Sequence, residues 1–96
     1  SKGVLYRNLK EIIPADQDDY LQIISEIDEL MSSNARVDWW KNHEIKRVIR
    51  NSIDDYVYDE LKVKRGLDFS AEKIEELVNE VMELAENNHE MFDGQH

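Results

Sequence analysis

Between Val37 and Arg65 the chain carries one apolar stripe that decides what it can fold into. Ile45, Val48, Ile49, Ile53, Tyr56, Val57 and Leu61 recur at three- and four-residue intervals, the spacing that lines side chains along one face of an α-helix. A stripe that long has to be covered, and 96 residues suit one domain with a single core. Three Gly and one Pro favour long helices, and 41% hydrophobic with 35% charged residues is the balance of a folded domain rather than a disordered tail. The expected fold is all-α: a small three- to four-helix bundle with one long central helix.

Helices are expected at about 3-13, 16-32, 43-65 and 71-91. Val4, Leu5, Leu9, Ile12 and Ile13 space the first, and Pro14 ends it by removing a backbone donor. The acidic turn after Pro14 places carboxylates where a helix N-terminus favours negative charge, so the second helix begins near Asp16. Its inward face is Tyr20, Ile23, Ile24, Ile27, Leu30 and Met31, with Ser32-Ser33-Asn34 as the expected exit. Asp38 or Asn42 can cap the central helix, with Asn42 preferred, and Lys62, Lys64, Arg65 and Gly66 form a C-terminal signature. Ser70 caps the last helix, where Phe69 and Ile74 have the spacing of a hydrophobic staple. The inward face there is Ile74, Leu77, Val78, Val81, Leu84 and Ala85, continuing towards Met91 and Phe92, before Asp93-Gly94-Gln95-His96 frays.

The formal charge of −10 is unevenly spread. Glu11 to Glu29 holds seven acids and no base, Asp68 to Asp93 nine acids against Lys73 alone, and Arg36 to Arg50 five bases against two acids. The central helix therefore starts basic between two acidic neighbours, an arrangement suited to charge pairing inside the bundle or to a charged partner. With no cysteine there is neither a disulfide framework nor a thiolate zinc site, and no apolar run approaches the ~20 residues of a membrane span. A cytoplasmic setting is expected, without membrane association. Ser1-Lys2-Gly3 begins without Met directly ahead of apolar periodicity and reads as a cut from a longer chain, with initiator Met removal as the alternative.

Motifs for chemistry are absent from the sequence. The three glycines form no phosphate loop, and nothing offers a G-x-S-x-G or His-Cys nucleophile. His43, His89 and His96 are dispersed, and His43-Glu44 lacks the second His of a helical zinc motif. Glu44-Ile45-Lys46 and Glu60-Leu61-Lys62 match the end of a nuclease signature that works at a sheet edge, whereas both fall here in an expected helix. Neither a catalytic residue nor a bound cofactor or metal is expected. Of Trp39 and Trp40, at least one is expected to bury its ring with its N–H hydrogen-bonded, and the other could anchor a partner beside Arg36, Lys41, Lys46, Arg47 and Arg50.

Leu5-Tyr6-Arg7-Asn8-Leu9, an acidic turn, an Ile-rich helix containing Ile27-Asp28, the Trp40-Lys41-Asn42 element, a basic amphipathic helix and Leu84-Ala85-Glu86-Asn87-Asn88-His89-Glu90-Met91-Phe92 follow in order. This order resembles the C-terminal helical region of type I restriction enzyme R subunits, with its L-Y-x-N-L start, W-x-x-N element and closing L-V-x-x-Q-N-E-Y. The closing segment departs from that pattern, with Asn88 and His89 where Gln and Asn are expected and Phe92 where Tyr is expected. The resemblance spans nearly the whole chain and implies a parent that is an ATP-dependent DNA translocase and site-specific endonuclease. ATP and Mg would belong to its upstream domains, none of whose catalytic residues has a matching position here.

By the same resemblance, this region attaches the motor subunit to the methyltransferase and specificity subunits, reaching DNA only through that complex. Trp39, Lys46, Arg47 and Arg50 are the expected contact residues. Two other readings remain open: a free-standing acidic protein that mimics DNA or serves as an interaction module, and an accessory domain that binds DNA through the basic start of the central helix.

Overall fold

Side-chain caps decide where the helices of this chain begin. The computed structural model describes residues 2–92, and every regular element among them is helical. Helix α1 spans Lys2–Asn8, α2 Gln17–Asn34, α3 His43–Asp55 and α4 Ala71–Asn87. The Asp16 carboxylate accepts from the Asp19 N–H at 2.9 Å, the Asn42 side chain from the Ile45 N–H at 3.0 Å and the Ser70 hydroxyl from the Lys73 N–H at 3.1 Å. Each occupies a helix donor that has no backbone partner within its own helix.

Three expected ends shift. The first helix stops at Asn8 instead of reaching residue 13, and the Asn8 amide donates back to the Val4 carbonyl at 2.8 Å in its last turn. Tight turns then carry Leu9, Ile12 and Ile13 into the core, with the Ile12 and Ile13 N–H groups both bonded to the Leu9 carbonyl. Helical spacing there marked a shared face without a continuous helix. The second helix ends at Asn34, within the expected exit Ser32-Ser33-Asn34 but two residues past the expected bound of 32; the Ser33 hydroxyl and the Asn34 amide donate to the carbonyls of Glu29 and Leu30 in that last turn. In the last helix, the Asn88 backbone and side-chain N–H groups both bond the Leu84 carbonyl, ending α4 at Asn87. A short turn, His89–Phe92, then buries Phe92 and leaves Met91 55% exposed, so Met91 does not continue the inward face. The expected fraying of residues 93–96 lies outside the described residues.

The central helix is continuous, but its second half is wound more widely. From Tyr56 to Lys64 the backbone has π-helical bonding, closed by the Arg65 N–H on the Glu60 carbonyl. This winding fits the core residues. Ile49, Ile53, Val57 and Leu61 are fully buried and repeat every fourth position. In an α-helix a four-residue step overshoots one turn by about 40°, so such a row drifts around the axis. Wider turns reverse that drift and keep Val57 and Leu61 on the buried line. Val48, expected inside, lies beside that line and is 48% exposed. Gly66, at φ +70°, closes the helix in the left-handed conformation expected of it.

Helix α3 packs between α2 and α4, while α1 touches both α2 and α4. Their shared core includes Leu5, Leu9, Ile23, Ile27, Met31, Trp39, Leu77, Val81 and Phe92. Met82 joins this core although its position was not on the expected inward face, and Leu30 and Leu84 pack at its margin. No helix among the described residues is long and apolar enough to cross a membrane.

Candidate functional site

The approach to α3 is built from a left-handed residue and one tight turn. Asp38 sits at φ 59°, a conformation that Asp tolerates better than most residues, and redirects the chain after Val37. A 3₁₀ turn at Trp39–Lys41 follows, in which the Asn42 N–H bonds the Trp39 carbonyl at 3.0 Å. That bond gives the W-x-x-N spacing a physical purpose. It sets the first ring into the core while Asn42 caps α3.

Trp39 is fully buried, so a partner that meets this conformation cannot touch its ring. Its indole N–H has no hydrogen-bond partner among the described residues, contrary to the expectation for a buried tryptophan. Trp40 is the partly exposed member of the pair. Its ring meets Trp39 edge to face at 6.4 Å and stacks on His89 at 3.7 Å with 15° between planes. Lys41 Nζ lies 5.7 Å from the Trp40 ring centre. Phe92, three residues after His89, is fully buried.

The basic side chains divide by what they hold. Lys46 reaches Glu86 of α4 at 3.4 Å, and the Arg50 guanidinium donates to the Asn79 side-chain oxygen, also on α4. Arg47 stays on its own helix, donating to Glu44 at 2.8 Å with 60% of its side chain exposed. That contact holds the Glu44 carboxyl below its usual value and raises Arg47. Glu60 of the second E-x-K triplet pairs with Arg65 at 3.0 Å and Lys64 at 3.8 Å. No group of three His, Cys, Asp or Glu among the described residues is placed to hold a metal ion.

A polar cluster that the sequence reading missed joins α2 to the end of the central helix. Glu26 accepts from Tyr56 Oη, from Gln22 at 2.9 Å, and from Arg65 at 2.7 and 2.9 Å. Burial raises the Glu26 carboxyl, but the hydrogen bonds from Tyr56, Arg65 and Gln22 and the Arg65 charge outweigh it and hold the carboxyl below its usual value. Tyr56 is pushed well up, first by burial and then by bonding to the carboxylate. Its partners lie 30 and 39 positions from Glu26 in the case of Tyr56 and Arg65, too far apart for any local pattern to pair them.

On the outer side of α3, Asn34, Arg36, Glu44, Ile45 and Val48 line a shallow cavity of about 250 Å³. Val37, next to Arg36 in sequence, is 56% exposed. None of the protein-family models, characterised proteins or solved structures compared with this chain matches it.

Proposed function

We propose that this chain is a non-catalytic docking domain of a type I restriction-modification R subunit, attaching an ATP-dependent translocase and endonuclease to its methyltransferase–specificity core. The observation that carries the reading is the meeting of the elements on which the resemblance rests. The L-Y-x-N-L residues Leu5 and Leu9 enter the common core, the W-x-x-N turn buries Trp39 and caps α3, and Trp40 stacks on His89 of the closing segment. Motif residues used this way preserve a scaffold, and a scaffold of this size contributes its outer surface. Contact then falls to exposed groups: Arg47 directly, and Lys46 and Arg50 through whatever capacity their ties to α4 leave.

The test is assembly of the chain with the purified methyltransferase–specificity complex, measured by pull-down and titration. Changing Lys46, Arg47 and Arg50 together to Glu is expected to weaken assembly. The triple change also removes two links between α3 and α4, so helical circular dichroism must remain unchanged for the result to count. Arg47→Glu alone leaves those links intact. Assembly unaltered in both variants removes these residues from the reading, and no assembly of the wild-type chain removes the reading itself.

A second reading has its own observation. Glu72, Glu75 and Glu76 are exposed together on the outer side of α4, where carboxylates could imitate phosphates as in an acidic DNA mimic. Lys73 interrupts them, lying 3.7 Å from Glu76. Saturable competition with duplex DNA for a DNA-binding enzyme would favour this reading over docking.

A further inference from the structure

Of the six large hydrophobic residues that are well exposed among the described residues, Val37 and Val48 stand in the stretch from Arg36 to Arg50, where five bases face two acids. The cavity beside them has Ile45 and Val48 as its apolar lining and Arg36 and Glu44 at its margin. At about 250 Å³ it lies below the roughly 300–1,000 Å³ of small-molecule sites, a size suited to one inserted aliphatic side chain. Arg36 is exposed, and its guanidinium has no partner among the described residues, whereas Lys46, Arg47 and Arg50 are each engaged. A free guanidinium offers a fork of donors that fits a carboxylate.

We propose that this groove is where the docking partner seats an acidic amphipathic helix, placing one aliphatic side chain against Ile45 and Val48 and an adjacent carboxylate on Arg36. The proposal rests on the docking reading and names the surface and the chemistry of its occupant. Charge complementarity selects that occupant. A chain of net charge −10 repels an acidic segment over most of its surface, and the segment is drawn to the basic stretch from Arg36 to Arg50. The exposed valines then supply apolar contact that a phosphate backbone could not use.

The experiment uses the 96-residue chain and the purified methyltransferase–specificity complex. A photo-crosslinking phenylalanine analogue replaces Val48 in one preparation and Leu21 in another, the latter 47% exposed in a groove between α1 and α2. Binding is titrated for Val48→Asp, Arg36→Gln and Leu21→Asp, each checked for unchanged circular dichroism. The expected result is a Kd raised about tenfold or more by Val48→Asp and several-fold by Arg36→Gln, no change for Leu21→Asp, and a crosslink from position 48 to a helix carrying Asp or Glu. Arg36→Gln keeps the test valid if Val48→Asp perturbs the fold.

Wild-type affinity in both groove variants, with the complex still bound, overturns the groove and leaves docking intact. A crosslink from position 48 to a second copy of this chain, or to DNA carried by the complex, overturns the proposed occupant. Failure of the wild-type chain to bind the complex overturns the docking reading and the groove with it.

Discussion

Replacing Glu26 by Gln keeps the side-chain shape at the junction of α2 and the π-helical segment while removing its charge. Hydrogen bonds to a charged group contribute roughly 1.5–3 kcal/mol and neutral ones roughly 0.5–1.5, so each strong partner loses about 1 kcal/mol. Tyr56 and Arg65 are the strong partners. Side-chain exposures of 24% for Glu26 and 33% for Arg65 let water compensate part of the loss, leaving about 1–2 kcal/mol. For a domain of this size that lowers the melting temperature by about 5–15 °C near neutral pH. The pH dependence supplies the sharper readout. Glu26 has a folded-state pKa below its ordinary 4.5, so its contribution is present above pH 4.5 and disappears as pH falls through the lower folded value. Thermal melts followed by circular dichroism should therefore show wild type and Glu26→Gln separating near neutral pH and converging in acid. A gap that persists unchanged in acid, or no gap at any pH, would refute this account of the cluster.

Ile49 is fully buried on the four-residue row, so Ile49→Asp should unfold the bundle by placing an unpaired charge in the core; a mutant that melts like wild type would show the inward face to be wrong. Gly66→Ala meets no neighbour within 4 Å but holds φ +70°, so it should cost about 1 kcal/mol through the backbone alone, measured by urea denaturation with an unchanged m-value. Asn42→Ala removes the cap of α3 and should cost about 1 kcal/mol, with Asn42→Asp or Asn42→Ser restoring most of it. Trp40→Ala should lose the stacking on His89 with little change in the fully buried Trp39, which near-ultraviolet circular dichroism and fluorescence position can separate.

What could be read from the sequence was what adjacent residues determine together. Asp16, Asn42, Ser70 and Gly66 act on backbone groups within a few positions, and each stands in the structure at the terminus assigned to it. The all-helical class followed from the apolar spacing for the same reason. Ser33, Asn34 and Asn88 were harder because their side chains can either leave a helix or bond back to its carbonyls, and composition does not choose between those uses. The π-helical winding left a trace in the strict four-residue repeat of Ile49, Ile53, Val57 and Leu61, which an α-helix would spread around its axis. Which tryptophan turned inward depended on Asp38 adopting φ 59°, and the Glu26 cluster depended on two elements distant in sequence meeting in space. Neither had a local signal.

The same distinction alters what the basic stretch from Arg36 to Arg50 means. Read along the chain it is a patch of five cations, the sort of feature that suggests phosphate binding. In the fold Lys46 is paired with Glu86, Arg47 with Glu44, and Arg50 with the Asn79 amide oxygen. A duplex that recruited those groups would have to outcompete contacts already made while approaching the acid-rich α4 beside them. The charge therefore first serves to seat α4 against α3, and what remains for a partner is narrower: Arg36, Lys41 beside the Trp40 ring, the exposed part of Arg47, and the exposed valines Val37 and Val48. Such a surface discriminates by shape and by one carboxylate more than by total charge. Its binding should consequently weaken far less with added salt than the steep dependence expected of a protein that neutralises many phosphates.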